Sequence, residues 1–108
     1  MNARNWKDCV KRGVAISKPS YYGQIQLYMA YMELFEHPAL LTFINKDTQE
    51  LWHELISFNV TCAQHLSDRG VQILKATDAG ETLPRIASDP TFFECKRCPY
   101  AKRCWNDE

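Results

Sequence analysis

The sequence predicts an α+β domain in which helices pack on a small antiparallel β-hairpin, closed at its C-terminal end by a cysteine-rich metal knuckle. Three observations predict it. Apolar residues recur at helical spacing after Pro19 and again after Asn59. Two apolar runs flank a polar turn at Asn45–Gln49, and Cys95, Cys98 and Cys104 fall in a C-x2-C-x5-C pattern. At 108 residues the chain holds one modest core and reads as a single domain.

Residues 1–18 read as an N-terminal helix from Asn5 to Arg12, ended by Gly13, with Val14 to Lys18 as a loop. Pro19 and Ser20 open a longer helix over 19–36, stopped by Pro38. Its positions Tyr21, Ile25, Tyr28, Met29, Met32 and Phe35 follow the helical period. Leu27, Tyr31 and Leu34 widen the apolar surface, which predicts a central helix covered on more than one side. The hairpin occupies 39–58, with Leu40–Ile44 as one strand and Leu51–Phe58 as its return. Trp52, Ile56 and Phe58 share one face of the return strand, and Leu51, His53 and Leu55 the other. Asn59 caps a helix over 60–79 with Ala63, Leu66, Gly70, Ile73 and Thr77 inward and Ala79-Gly80 as its stop. An irregular stretch after Leu83-Pro84 leads into the cysteine-rich tail, 83–108.

Thirteen basic and thirteen acidic residues cancel, which excludes a generally basic nucleic-acid coat. The charge is uneven, though: between Lys96 and Arg103 there are four bases and no acid. Five cysteines, an odd number, with no signal-peptide pattern, lead us to expect an intracellular, reduced protein rather than a disulfide scaffold. No apolar run approaches the roughly 20 residues of a membrane span.

Cys95, Cys98 and Cys104 read as three ligands of zinc or of an iron–sulfur cluster, because two thiols three apart can grip one ion from a tight loop. A fourth ligand is open between Cys9, Cys62, His65, His53 and His37, or a group from a second chain; Cys62 and His65 share a helical face. The plain alternative is a set of free thiols near a surface tail. Around them, Lys96, Arg97, Lys102 and Arg103 suit phosphates, and Tyr100 and Trp105 suit stacked bases. A solvated loop that tolerates charge reads equally well.

The segment Pro19-Ser20-Tyr21-Tyr22-Gly23-Gln24-Ile25-Gln26-Leu27-Tyr28-Met29 resembles the Q-x3-Y helix of RecB-like exonucleases in the PD-(D/E)XK superfamily. The hairpin with Asn45-Lys46-Asp47-Thr48, the Leu83-Pro84-Arg85 segment and the cysteine tail resemble phage and CRISPR-adaptation members, in the same order. The likeness is to the C-terminal half of such an enzyme. It implies that the metal-binding Asp, the Glu-x-Lys and the first cluster cysteine would lie upstream of Met1, so no catalytic residue is assigned in this chain. In the family Gln24 and Tyr28 would hold active-site strands or the nucleic-acid backbone; read from the residues alone, Tyr28 is core and Gln24 exposed. Asp89 with Glu94-Cys95-Lys96 imitates the missing motif, but thiolate ligands bracketed in a loop do not make adjoining catalytic strands. Asp8, Asp47 and Glu54 are not brought together by any spacing. The family precedent for the cysteines is a [4Fe–4S] cluster; with the upstream thiol missing, zinc is the expected metal.

The resulting expectation is a non-catalytic, nuclease-derived protein of phage type that binds a protein or nucleic-acid partner, for instance as an anti-CRISPR-like inhibitor of host defence. The alternatives are part of an active RecB-like exonuclease completed upstream or by another subunit, and a zinc-knuckle DNA-binding protein. A homodimer or protein complex is expected, since the hairpin edge offers strand addition and lost strands leave apolar surface. The expected setting is the cytoplasm of a phage-infected or prophage-bearing bacterial cell.

Overall fold

A computed structural model describes residues 1–106 and is α+β: six helices and one two-stranded antiparallel hairpin. In chain order these are α1 (Ala3–Arg12), α2 (Val14–Ser17), α3 (Pro19–Tyr31), β1 (Ala39–Ile44), β2 (Leu51–Ile56), α4 (Val60–Ala79), α5 (Phe93–Arg97) and α6 (Ala101–Asn106). The backbone groups into two compact units, Met1–Gln72 and the chain from Ile73 onward.

The start of α1 is capped twice. The Asn2 side chain accepts from the Asn5 N–H, and Asp47 in the hairpin turn accepts from the Ala3 N–H, both at 2.9 Å. Gly13, at φ 82°, ends the helix as expected. Val14–Ser17 is a turn of helix, not a loop. Its entry lacks a local cap, and Glu54 on β2 supplies one: both carboxylate oxygens accept from the Val14 N–H, at 3.1 and 3.2 Å. A cap donated from forty residues away leaves no local signature.

Helix α3 stops at Tyr31, five residues before the expected end. Leu34 N–H donates to Met29 C=O and Glu33 N–H to Ala30 C=O, a Schellman closure with Glu33 in the left-handed region at φ 57°. Glycine usually marks that position; here it does not. The inward face also differs from expectation. Met29 is buried as expected, but Gly23 and Gln26 are buried beside it, whereas Tyr21, Tyr28, Met32 and Phe35 are exposed.

The hairpin pairs Ala39 with Ile56, Leu41 with Glu54 and Phe43 with Trp52 on its inner face, and Leu40 with Leu55, Thr42 with His53 and Ile44 with Leu51 on its outer face. The alternation on β2 is the predicted one, although the strand ends at Ile56 and Phe58 instead stacks on Phe35, ring centroids 5.0 Å apart. Cys9, Val14, Phe43 and Ile56 form the buried core of this unit, with Met1, Trp6, Tyr22, Ile25 and Leu41 packed around it.

Asn59 caps α4 as predicted, its side chain accepting from the Cys62 N–H at 3.0 Å. Ala63 is buried, and Leu66 reaches Gly23, where an added Cβ would come within 2.9 Å of its Cδ1. Glycine at 23 thus lets α4 approach α3 closely. Farther along, Gly70, Ile73 and Thr77 are exposed and Ala76 is buried instead. Gly80, at φ 70°, closes α4 by the same pair of hydrogen bonds, Gly80 N–H to Thr77 C=O and Glu81 N–H to Ala76 C=O.

Gln26 fastens these pieces together. It is wholly buried; its Nε2 donates to Ser57 C=O at 2.9 Å and its Oε1 accepts from Asn59 N–H at 2.7 Å. Replacing it with Leu keeps the volume but strands two backbone groups, so Gln26→Leu should lower unfolding free energy by about 2–4 kcal/mol in denaturant titration. Gln26→Glu keeps the acceptor but sets a buried carboxylate oxygen against the Ser57 carbonyl, and should destabilise at least as much as Leu at neutral pH, recovering as acid protonates it into a donor.

Candidate functional site

The cysteine segment folds as two short helices joined at Cys98-Pro99-Tyr100. Local bonds set its path: Cys98 N–H to Cys95 C=O, Ala101 N–H to Cys98 C=O, and Cys104 N–H to Tyr100 C=O, at 3.2, 3.2 and 2.9 Å. Cys95 is buried, whereas Cys98 and Cys104 are exposed. Three thiols within ten residues suit zinc by donor chemistry. They are not gathered: among the described residues, no three His, Cys, Asp or Glu side chains are grouped to hold a metal ion.

The proposed fourth ligands all lie before Ile73. Cys9 is fully buried in the N-terminal core, and its thiol donates to the Ser17 hydroxyl at 3.4 Å. His53 shares a hydrogen bond with the Thr42 hydroxyl at 2.9 Å through Nδ1. Cys62 is half-buried on α4, and His65 and His37 are exposed.

The carboxylates have structural occupations. Asp8 accepts from the Ser17 hydroxyl and pairs with Arg12 at 3.4 Å, while Asp47 and Glu54 cap α1 and α2. Asp89 opens a turn ahead of α5. The Thr91 N–H and then the Thr91 hydroxyl, each 2.8 Å from its Oδ1, hold the Asp89 carboxyl below its ordinary value. Glu94 and Lys96 sit on α5, not on adjoining strands.

The bases and aromatics are distributed more usefully. Lys96, Arg97 and Lys102 are exposed, and Tyr100 is 71% exposed at the joint between α5 and α6. Arg103 is already engaged, and Trp105 is half-buried beneath Arg85, whose guanidinium carbon lies 4.7 Å from the indole centroid. Arg85 carries no local signal of this contact in the sequence, although it stands in the Leu83-Pro84-Arg85 segment. Its Nε and Nη2 both donate to Cys104 C=O, at 3.0 and 2.8 Å. This fork closes the C-terminal end of α6 onto the irregular stretch before α5.

Gln24 and Tyr28 are one turn apart and bonded to each other, Gln24 Nε2 donating to the Tyr28 hydroxyl at 2.6 Å. Both are exposed, with Tyr28 at 56%, so Tyr28 is not a core residue. An apolar hollow of about 430 Å³ in the N-terminal unit is lined by Leu27, Tyr31, Phe35, Phe58, Val60 and Ala63 among others, and by none of the predicted site residues.

Arg85→Ala should free α6, speeding amide exchange at Cys104–Asn106 and shifting Trp105 emission to the red. Arg85→Lys should restore less than half the protection, because an ammonium cannot reproduce the two-pronged bond. Set beside known proteins, the chain matches no family model, no curated protein and no solved structure.

Proposed function

We propose that this chain is a binding protein, not a hydrolase by itself, and that its C-terminal segment grips single-stranded nucleic acid. Lys96, Arg97 and Lys102 take the phosphates and Tyr100 offers its ring to a base. The observation that carries this reading is the exposure of three cations and one aromatic on the short α5–α6 segment, with no acidic side chain between Lys96 and Arg103. Phosphate contacts of this kind are sequence-independent, and base–aromatic stacking tolerates any base. Descent from the RecB-like nucleases is part of the proposal; the order of long helix, hairpin, helix and cysteine segment supports it. Zinc on Cys95, Cys98 and Cys104 is the proposed clip of the segment, with a [4Fe–4S] cluster as its alternative.

Fluorescence anisotropy with a labelled oligonucleotide tests the grip. Three phosphate contacts on a single strand give a slope of log affinity against log salt of about −2. Changing Lys96, Arg97 and Lys102 together to Gln should flatten that slope toward zero. Tyr100→Ala should cost about 1–3 kcal/mol of affinity while leaving the slope unchanged. No binding at low salt would sink the reading.

Elemental analysis with absorbance tests the clip separately. A colourless protein with about one zinc per chain is the expected result, and a brown protein carrying iron would replace zinc with the cluster.

A further inference from the structure

The first eighteen residues carry five of the chain's thirteen bases, Arg4, Lys7, Lys11, Arg12 and Lys18, and a single acid, Asp8. The chain as a whole is neutral, so this excess is local. On α1 successive residues turn by about 100°, which brings Arg4, Lys7 and Lys11 within about 60° of one another around the axis. The exposed residues of α1 are Arg4, Lys7, Lys11 and Arg12, all of them cations. Trp6 and Cys9 lie on the other side and pack in the core.

The acids near this stripe are engaged elsewhere. Asp8, one turn from Arg4, is taken by Arg12 and by the Ser17 hydroxyl. Asp47 and Glu54 hold the Ala3 and Val14 N–H groups. Among the described residues, Arg4, Lys7 and Lys11 meet no hydrogen-bonding or ionic partner. Their placement works against the helix. Arg4 stands in the first turn, where the helix dipole disfavours a cation and no acid compensates. Lys7 has Arg4 three residues before it and Lys11 four after it, and like charges at such spacings destabilise a helix. Local rules broken this way, with no partner inside the fold, mark a surface kept for something outside it.

We propose that this face of α1 seats the phosphate backbone of a nucleic-acid duplex. The occupant follows from what α1 shows and what it hides. The side that a membrane-surface helix would sink into lipid is already in the core. A protein partner finds no apolar anchor among the exposed residues, which are cations alone. Trp6, the one aromatic of α1, is packed in the core, so the helix offers no ring to an unstacked base. A duplex keeps its bases inside and can be held by phosphate contacts alone. From Arg4 to Lys11 the helix rises about 10 Å, and one strand of a duplex presents a phosphate about every 3.4 Å of its axis. A row of that length covers about three phosphates, one for each cation. The surface lies within Met1–Gln72 and does not depend on the single-strand grip of the C-terminal segment.

The test uses the full chain with Lys96, Arg97 and Lys102 changed to Gln, so that binding reads α1. A labelled blunt duplex of about 16 base pairs should bind this parent with a slope of log affinity against log salt of about −2.7. Duplexes of unrelated sequence should bind alike, and a single strand of the same length more weakly. Arg4→Gln, Lys7→Gln and Lys11→Gln should each take about 0.9 from the slope, and together bring it near zero. The triple variant should melt no lower than its parent, because the like-charge contacts are relieved. Duplex binding that persists in the triple variant overturns the proposal, as does a parent that binds no duplex at low salt. A single strand held as tightly as the duplex, and lost with the same three changes, overturns the duplex as occupant. Capture by phosphatidylserine-containing vesicles that the three changes abolish, without duplex binding, gives the face to lipid and overturns it equally.

Discussion

The N-terminal unit turns on one buried amide. Gln26, on α3, faces the junction where β2 ends and α4 begins, and it bonds the carbonyl of Ser57 and the amide of Asn59. The side chain acts there as a piece of strand, giving two backbone groups the partners a third strand would otherwise give. Asn59 is also the cap of α4, so its φ/ψ is held from both sides: by Gln26 at its amide and by its own side-chain bond to Cys62 N–H. A displaced Gln26 would release the direction in which α4 leaves the sheet. Leu66 would then lose its seat at Gly23, which depends on that direction.

Carboxylates do similar work at the other side of the hairpin. Glu54 and Asp47 stand on β2 and in the turn, yet each caps a helix in the first fifteen residues. Those bonds tie α1 and α2 to the sheet across a separation of about forty residues, which makes the order of the core (Cys9, Val14, Phe43, Ile56) a tertiary result. The sequence spacing gives no reason to pair these acids at a catalytic metal. Their geometry gives them helix ends instead, where negative charge near the first N–H groups is favourable by about 0.3–1 kcal/mol each.

Much of this was legible. The turn at Asn45, the alternation along β2, the Asn59 cap and the Gly80 stop all follow from residue types that have few other uses. What was not legible has physical causes. The sequence predicts α3 to run to residue 36, because its actual closing residue, Glu33, occupies a left-handed position without being glycine. Its apolar residues surround the cylinder, so periodicity could not tell that a polar Gln26 faces inward while Tyr28 faces out. The helical turn at Val14 and the fork of Arg85 on Cys104 arise from contacts made across the chain, which no local pattern carries. At the cysteines, spacing revealed the thiols and bases but not the burial of Cys95.

A two-stranded sheet is marginal unless both faces are used. Here the inner face is covered by α1 and α2 through Cys9 and Val14, and the outer face presents Leu40, Ile44, Leu51 and Leu55 to water. Fully burying an aliphatic side chain is worth about 1.5–3 kcal/mol, so covering four half-exposed ones gains roughly 3–6 kcal/mol. The whole folded state of a chain this size is stable by only about 5–15 kcal/mol. Anything that covers that face therefore competes in magnitude with folding itself. Main-chain bonds along β1 would add direction to an attraction that has none of its own, since burial alone favours any apolar cover equally.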